Sequence, residues 1–206
     1  MIDRLLDLPG RSVYRLHGSG AAATVYYLAD DAAGGVLINT PRYDAQLEAR
    51  LAALAPVRFL FFPSHFGACD VDLWRAATGA ESLAFAAETG SIAGTVDIVL
   101  ERQSKLTRTI DLLPMPGRTA GNAVLHARNL PGVVFFGPAL TPGGSGWPAL
   151  VRQPDDHSYE NRLFGCLALQ DLDFAYAFTD VFVEGMTCFG PGASRAIRQE
   201  LERVLA

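Results

Sequence analysis

Phe59-Leu60-Phe61-Phe62-Pro63-Ser64-His65 decides how the rest of the chain is read. Four apolar residues stop abruptly at a proline, a serine and a histidine. A short unbroken apolar run bounded by turn formers marks a buried strand, and the polar stop marks where that strand leaves its sheet. The same pattern recurs three times. Val36-Leu37-Ile38 runs into Asn39-Thr40-Pro41, Val133 to Phe136 into Gly137-Pro138, and Phe174 to Phe178 into Thr179-Asp180. Between the Phe59 and Val133 runs lies Pro116-Gly117-Arg118-Thr119-Ala120-Gly121-Asn122. Strand ends gathered on one edge of a layered α/β domain are where such folds put their sites.

Working outward, Ser12 to Leu16, Thr24 to Leu28 and Val36 to Asn39 predict strands, separated by His17-Gly18-Ser19-Gly20 and Asp30 to Gly35. Gly18-Ser19-Gly20 leads into a strand and so reads as a hairpin turn, not a phosphate loop. After Pro41, Leu47, Leu51 and Leu54 fall on one helical face with Asp44 as cap. The pattern then predicts a helix over Val71 to Thr78 and strands at Ser82 to Ala84, Val96 to Leu100, Thr107 to Leu113, Ala123 to Ala127 and Val133 to Phe136. Leu140 to Pro154 is a Gly- and Pro-rich loop around Trp147. Tyr159, Leu163, Cys166 and Leu167 recur at helical spacing, and Ile197, Leu201, Val204 and Leu205 form the apolar face of a terminal helix. Two similar halves, each a mixed sheet with helices, predict an α/β (α+β) fold, a four-layer αββα sandwich, as a single domain over 1–206.

Composition narrows the function. A chain of 206 residues buries roughly 70% of its unfolded surface and needs no staples. The net charge of −5, without a basic cluster, argues against nucleic acid as a partner. No apolar run approaches the ~20 residues of a membrane span. Met1 to Asp7 carries acids where a secretory signal needs a basic start, so the expected location is cytoplasmic. Cys69, Cys166 and Cys188 are too few and too dispersed for a disulfide framework.

The order of strands and stops resembles the metallo-β-lactamase superfamily over nearly the whole chain. Val36-Leu37-Ile38-Asn39-Thr40-Pro41 is similar to the family's opening strand, where an acid commonly stands near Asn39. Phe61-Phe62-Pro63-Ser64-His65 is similar to the strand entering its His-x-His-x-Asp-His loop. Pro116 to Asn122 is similar to its Pro-Gly-His-Thr-x-Gly-Ser, and Phe135-Phe136-Gly137-Pro138-Ala139-Leu140 to its Phe-x-Gly-Asp-x-Leu. The resemblance implies a sandwich of metallo-β-lactamase type, but most of its metal ligands are replaced. With His65 as the first histidine, Gly67 stands at the second, Cys69 at the aspartate and Asp70 at the last histidine. Arg118 replaces the histidine of the Pro-Gly-His motif, Pro138 replaces the bridging aspartate, and Asp180 falls where the final histidine would follow the last strand.

Glycine and proline offer zinc no side-chain ligand, and arginine stays protonated. Arg118 paired with Asp70 or Asp180 would put an internal salt bridge where the metal sits in the family. No cofactor is therefore expected; the alternative is one zinc or other divalent metal on His65, Cys69, Asp70 and Asp180. His65 reads first as a hydrogen-bonded structural histidine, and second as a ligand, a base or the partner of Cys69 in a nucleophilic dyad. Cys166 reads as core, Cys188 as an exposed thiol, and His126 and Trp74 as packing. His157, beside Asp155 and Asp156, reads as a helix start with capping acids. Trp147 is either a lid over a ligand or a pin for its own loop.

The expected function is a non-catalytic protein that binds a small molecule or a partner in a pocket lined by Asn39, Ser64, His65, Asp70, Arg118, Asn122 and Asp180, a lining that suits a small anionic ligand, a carboxylate or phosphate. The alternative is a hydrolase of ester, thioester or amide bonds, using a mononuclear metal or His65 and Cys69 as catalytic residues. A third reading is self-association, a homodimer through apolar surface near Trp147.

Overall fold

The computed structural model describes residues 1–18 and 22–205. The hairpin turn expected at Gly18-Ser19-Gly20 therefore lies largely outside the described residues. The chain divides into two compact units, Met1–Glu101 and Arg102–Ala206.

In the first unit, β1 (Ile2–Leu8), β2 (Arg11–Leu16), β3 (Val25–Asp30) and β4 (Gly34–Ile38) form an antiparallel meander. Three parallel strands follow: β5 (Val57–Phe61), β6 (Glu81–Phe85) and β7 (Ile98–Leu100). The sheet runs β1 to β7 in chain order. The parallel strands are joined by α1 (Ala45–Ala52), α2 (Val71–Thr78) and the four-residue α3 (Ala86–Thr89). β1 was not visible in the sequence because it alternates poorly: Leu6 alone is buried, and Asp3, Arg4 and Asp7 give it the charged character of an edge strand.

Asp44 caps α1 as expected, its side chain accepting from the Gln46 and Leu47 amides, a contribution of about 1 kcal/mol. Leu51 of α1 and Val71 and Trp74 of α2 pack with Tyr27, Leu37 and Leu60 in one core. The Trp74 indole N–H donates to the Pro41 carbonyl at 2.8 Å, so the largest buried side chain leaves no polar atom stranded. β4, β5 and β6 are parallel and in register, with Ile38 beside Phe61 and Phe61 beside Leu83. Their C-terminal ends therefore emerge together, bringing Asn39, His65 and the start of α3 to one edge.

In the second unit, β8 (Ser104–Thr107), β9 (Ile110–Pro114), β10 (Ala123–Ala127) and β11 (Val133–Phe135) are antiparallel, and β14 (Tyr176–Phe178) runs parallel to β11. The single strand expected over Thr107 to Leu113 is two strands, because Arg108 and Thr109 make a turn between them. β12 (Thr141–Pro142) and β13 (Pro148–Ala149) form a small ribbon within the loop expected from Leu140 to Pro154. α4 (Tyr159–Ala168) and α5 (Ala193–Leu205) supply Cys166, Ile197 and Leu201 to a core with Val124, Val134 and Phe136. Val204 and Leu205, expected on the apolar face of α5, are exposed at its end. Trp147 is half-buried against this core. The β9–β10 hairpin carries residues 115–122, and the paired ends of β11 and β14 place Asp180 beside Gly137, the Asp180 N–H donating to the Gly137 carbonyl at 3.0 Å.

Candidate functional site

The first unit's part of the site starts at Asn39, which leaves β4 in the left-handed region with φ 61°. Asparagine tolerates this conformation better than most residues. Its backbone N–H donates to the Phe61 carbonyl at 3.0 Å and its Nδ2 to the Thr24 carbonyl at 2.9 Å. Thr40 then stitches the strand end to the next loop. Its N–H donates to the Gly67 carbonyl at 2.8 Å, and its hydroxyl both donates to the Cys69 carbonyl and accepts from the Cys69 N–H, at 2.7 and 2.9 Å. Ser64 opens the tight turn His65–Gly67, its Oγ accepting from the Phe66 N–H at 3.3 Å.

His65 is the expected residue most changed by its surroundings. Its backbone N–H donates to Oε2 of Glu88 at 2.8 Å, and its Nδ1 lies 2.6 Å from the same oxygen. Glu88 is 1% exposed, whereas the His65 side chain is 32% exposed. The imidazole is thus oriented by a buried carboxylate, the arrangement that fixes a histidine ring and its tautomer. Cys69 stands nearby in sequence, but burial first and the Asp70 carboxylate second push its thiol up, while Arg42 draws it down. A raised thiol is a poor nucleophile at neutral pH. The exposed Asp70, with φ 46°, turns its carboxylate to the Tyr43 N–H at 2.9 Å. Gly67 is packed on Asn39: a Cβ added at 67 would lie 1.9 Å from Asn39 Oδ1. A histidine at this position would have no room.

In the second unit, Asn122 organises residues 116–122. Its Oδ1 accepts from the Arg118 and Thr119 amides, each at 3.0 Å, and its backbone carbonyl accepts from the Met115 N–H at 2.8 Å. Asn122 is fully buried, and its Nδ2 has no partner among the described residues. The Arg118 guanidinium meets Asp155, with Nη2 2.8 Å from its carboxylate and Nη1 3.0 Å from its carbonyl. That contact holds the Asp155 carboxyl below the usual range. In its own unit Arg118 thus meets Asp155, and its Nε lies 3.8 Å from Asp156 as well. Asp180 is buried at the end of β14.

Asp155 and Asp156 do not cap α4, as expected from the sequence; Ser158 does, accepting from the Asn161 N–H at 3.2 Å. Both acids are taken by arginines instead. Asp156 receives the guanidinium of Arg162, whose Nη1 lies 2.6 and 2.7 Å from its two oxygens. Arg162 is fully buried and also donates to the Ala139 and Val151 carbonyls, so it ties the Gly137–Ala139 turn, which contains Pro138, to α4.

Glu88 and Arg162 were missed in the sequence. Glu88 sits in a four-residue helix too short to show a period. Arg162 did carry a signal: it stands four residues before Cys166 and seven before Leu169, on the buried face of α4. His126 is buried, Nε2 3.1 Å from the Asp173 carbonyl, and Cys166 is core, both as expected. His157 is exposed, and Cys188 is half-buried with its Sγ 3.8 Å from the Ser145 carbonyl.

Among the described residues, no three or more His, Cys, Asp or Glu side chains stand together as a metal-binding group. His65, Cys69 and Asp70 therefore do not form such a set. Among the described residues, no helix is long and apolar enough to cross a membrane.

No protein-family model matches the chain, and no curated protein sequence does. Solved structures do match. A metallo-β-lactamase from Hirschia baltica superposes with a TM-score of 0.68 at 15% identity, over 98% of this chain and 94% of its own. The metallo-β-lactamase FIM-1 from Pseudomonas aeruginosa, solved in a mono-zinc form, gives 0.66 at 16% identity over 98% and 96%. A metallo-β-lactamase from Cronobacter sakazakii with a HARLDQ motif gives 0.62 at 15% identity over 86% and 80%. Likeness at this level of identity speaks for architecture and not for activity. Among the described residues, the seven-stranded and five-stranded mixed sheets and their helices have the fold of the metallo-β-lactamases.

Proposed function

We propose that this chain uses the metallo-β-lactamase fold as a binding protein for a small anionic molecule, at a site without the family's metal ligands. The observation that carries this reading is the packing of Asn39 against Gly67, which fills the space a second histidine would need. The neighbouring positions support it. Asp70 is engaged with the Tyr43 amide, and the Cys69 thiol is held neutral. The residues expected to line one pocket fall into a set in each unit: Asn39, Ser64, His65 and Asp70 in the first, Arg118, Asn122 and Asp180 in the second. Arg118 supplies the charge for a carboxylate or phosphate, since one of its partners, Asp155, is largely exposed and yields readily to a competing anion.

The test is elemental analysis of protein purified without chelators, followed by thermal shift on adding zinc, manganese or iron. Metal-free protein with no shift is the expected result, with anion binding lost in Arg118→Ala and the fold retained. Near-stoichiometric metal that disappears in His65→Ala overturns the reading.

The His65–Glu88 pair favours a second reading, a hydrolase of ester, thioester or amide bonds with His65 as base. A histidine oriented through Nδ1 by a carboxylate has its Nε2 left to take a proton. Turnover in an ester and thioester screen that is lost in His65→Ala and kept in Cys69→Ser would select it.

A further inference from the structure

A cavity of about 360 Å³ lies in the first unit, on the stretch from Pro41 to Arg50 that follows Asn39 and Thr40. This is at the lower end of the volume range of small-molecule sites. One wall is the α1 approach and its first turns. Arg42 precedes the helix, and Gln46 and Arg50 are four residues apart on it, so the two project from one face. His17 at the end of β2 faces them across the cavity, and Pro41 and Leu47 give it an apolar portion.

The charge balance of this lining is uneven. Arg42 and Arg50 are exposed, and among the described residues neither guanidinium has an ion-pair partner. Asp44 is the one carboxylate of the lining, and its Oδ1 is turned to the Gln46 and Leu47 amides at 2.7 and 2.9 Å. His17 is held by Asp3, whose carboxylate also receives Arg15 at 3.4 Å. Asp3 pairs with His17 and Arg15 and is not part of the cavity lining. What remains is two forked cations beside an amide side chain and an apolar surface.

Guanidinium forks match phosphate oxygens two at a time, and two of them suit a dianion better than a monoanion. We infer that this cavity binds a phosphate monoester, with Arg42 and Arg50 on the phosphoryl oxygens and the ester group against Pro41 and Leu47. The inference rests on the first unit alone and goes beyond the reading at Arg118.

Calorimetric titration of the full chain tests it with three probes: phenyl phosphate, inorganic phosphate and phenylacetate. Phenyl phosphate is expected to bind about tenfold more tightly than either of the others, and Arg42→Gln or Arg50→Gln to weaken it by about tenfold or more. Both arginines are exposed, so both variants keep the parent's thermal unfolding. In the Arg118→Gln background, which removes the anion site proposed above, phenyl phosphate still binds and Arg42→Gln or Arg50→Gln still weakens it, which separates this site from the Arg118 reading. No saturable binding up to about 10 mM, affinity unmoved by both substitutions, equal affinity for the three probes, or loss in Arg118→Gln would each overturn the inference.

Discussion

Glu88 accepts from His65 twice through one oxygen: Oε2 lies 2.8 Å from the backbone N–H and 2.6 Å from Nδ1. The pair joins the end of β5 to the start of α3, so the carboxylate holds both the ring and the loop that carries it. Removing it leaves a buried N–H without its acceptor. Glu88→Ala is therefore expected to destabilise the chain by about 1.5–3 kcal/mol in urea unfolding. Glu88→Gln keeps an acceptor oxygen and should lose less. A Glu88→Ala variant as stable as the parent would show that the loop is held by other means.

Gly67 is fixed by its neighbour and not by its own backbone. A methyl group there meets Asn39 Oδ1 at 1.9 Å and Cβ at 2.7 Å. Gly67→Ala is expected to cost about 1–3 kcal/mol through overpacking. Asn39→Gly in that background removes the obstruction, and glycine accepts the left-handed φ of 61° freely. It also loses the bond to the Thr24 carbonyl. The double variant should thus be less destabilised than the sum of the singles, with a coupling of about 1 kcal/mol in the double-mutant cycle. Gly67→His, which the family resemblance asks for, should give no thermal shift with zinc.

Most of the architecture was legible because the inner strands are buried on both faces and read as unbroken apolar runs. Val36 to Ile38 and Val133 to Phe135 both show this pattern. The helix over Val71 to Thr78 also fell where its spacing placed it. The strand ends named the loops that hold Asn39, His65, Arg118 and Asp180. The ionic partners of those loops were not legible, since each pair spans a long stretch of chain. His65 and Glu88 are 23 residues apart, and Arg118 and Asp155 are 37 apart. No local period reports such a pairing. β1 escaped because an exposed edge strand loses the alternation that marks a half-buried one.

Arg162 and Asp156 form a pair in which one partner is fully buried and the other nearly so. Breaking such a pair leaves an uncompensated charge inside the protein, at a cost of about 3–5 kcal/mol. Asp156→Ala should therefore destabilise strongly in urea unfolding. Arg162→Met should do so too, because it also strands the Ala139 and Val151 carbonyls. The double variant removes both charges and should cost less than the two singles together. Additive costs would mean that the two side chains act independently.

Asp97 gives the chain a predictable acid response. The Arg75 guanidinium first, and the Ser82 N–H and hydroxyl next, hold its carboxyl well below the usual carboxylate range. A depressed carboxyl stabilises the folded state when it is ionised in both states. That contribution is fully present above the unfolded value near about 3.9 and fades as pH falls toward the lower folded value. Asp72 shares Arg75 at 3.2 Å, and its carboxyl is also lowered, first by the Thr95 backbone, so it titrates in the same sense. The parent and Asp97→Asn must therefore be compared directly, with Asp72 intact in both. The stability gap between them should be constant from about pH 7 to 5 and narrow steadily below about 4. A gap unchanged at about pH 3 would mean that neither Arg75 nor Ser82 holds the Asp97 carboxyl below its ordinary value.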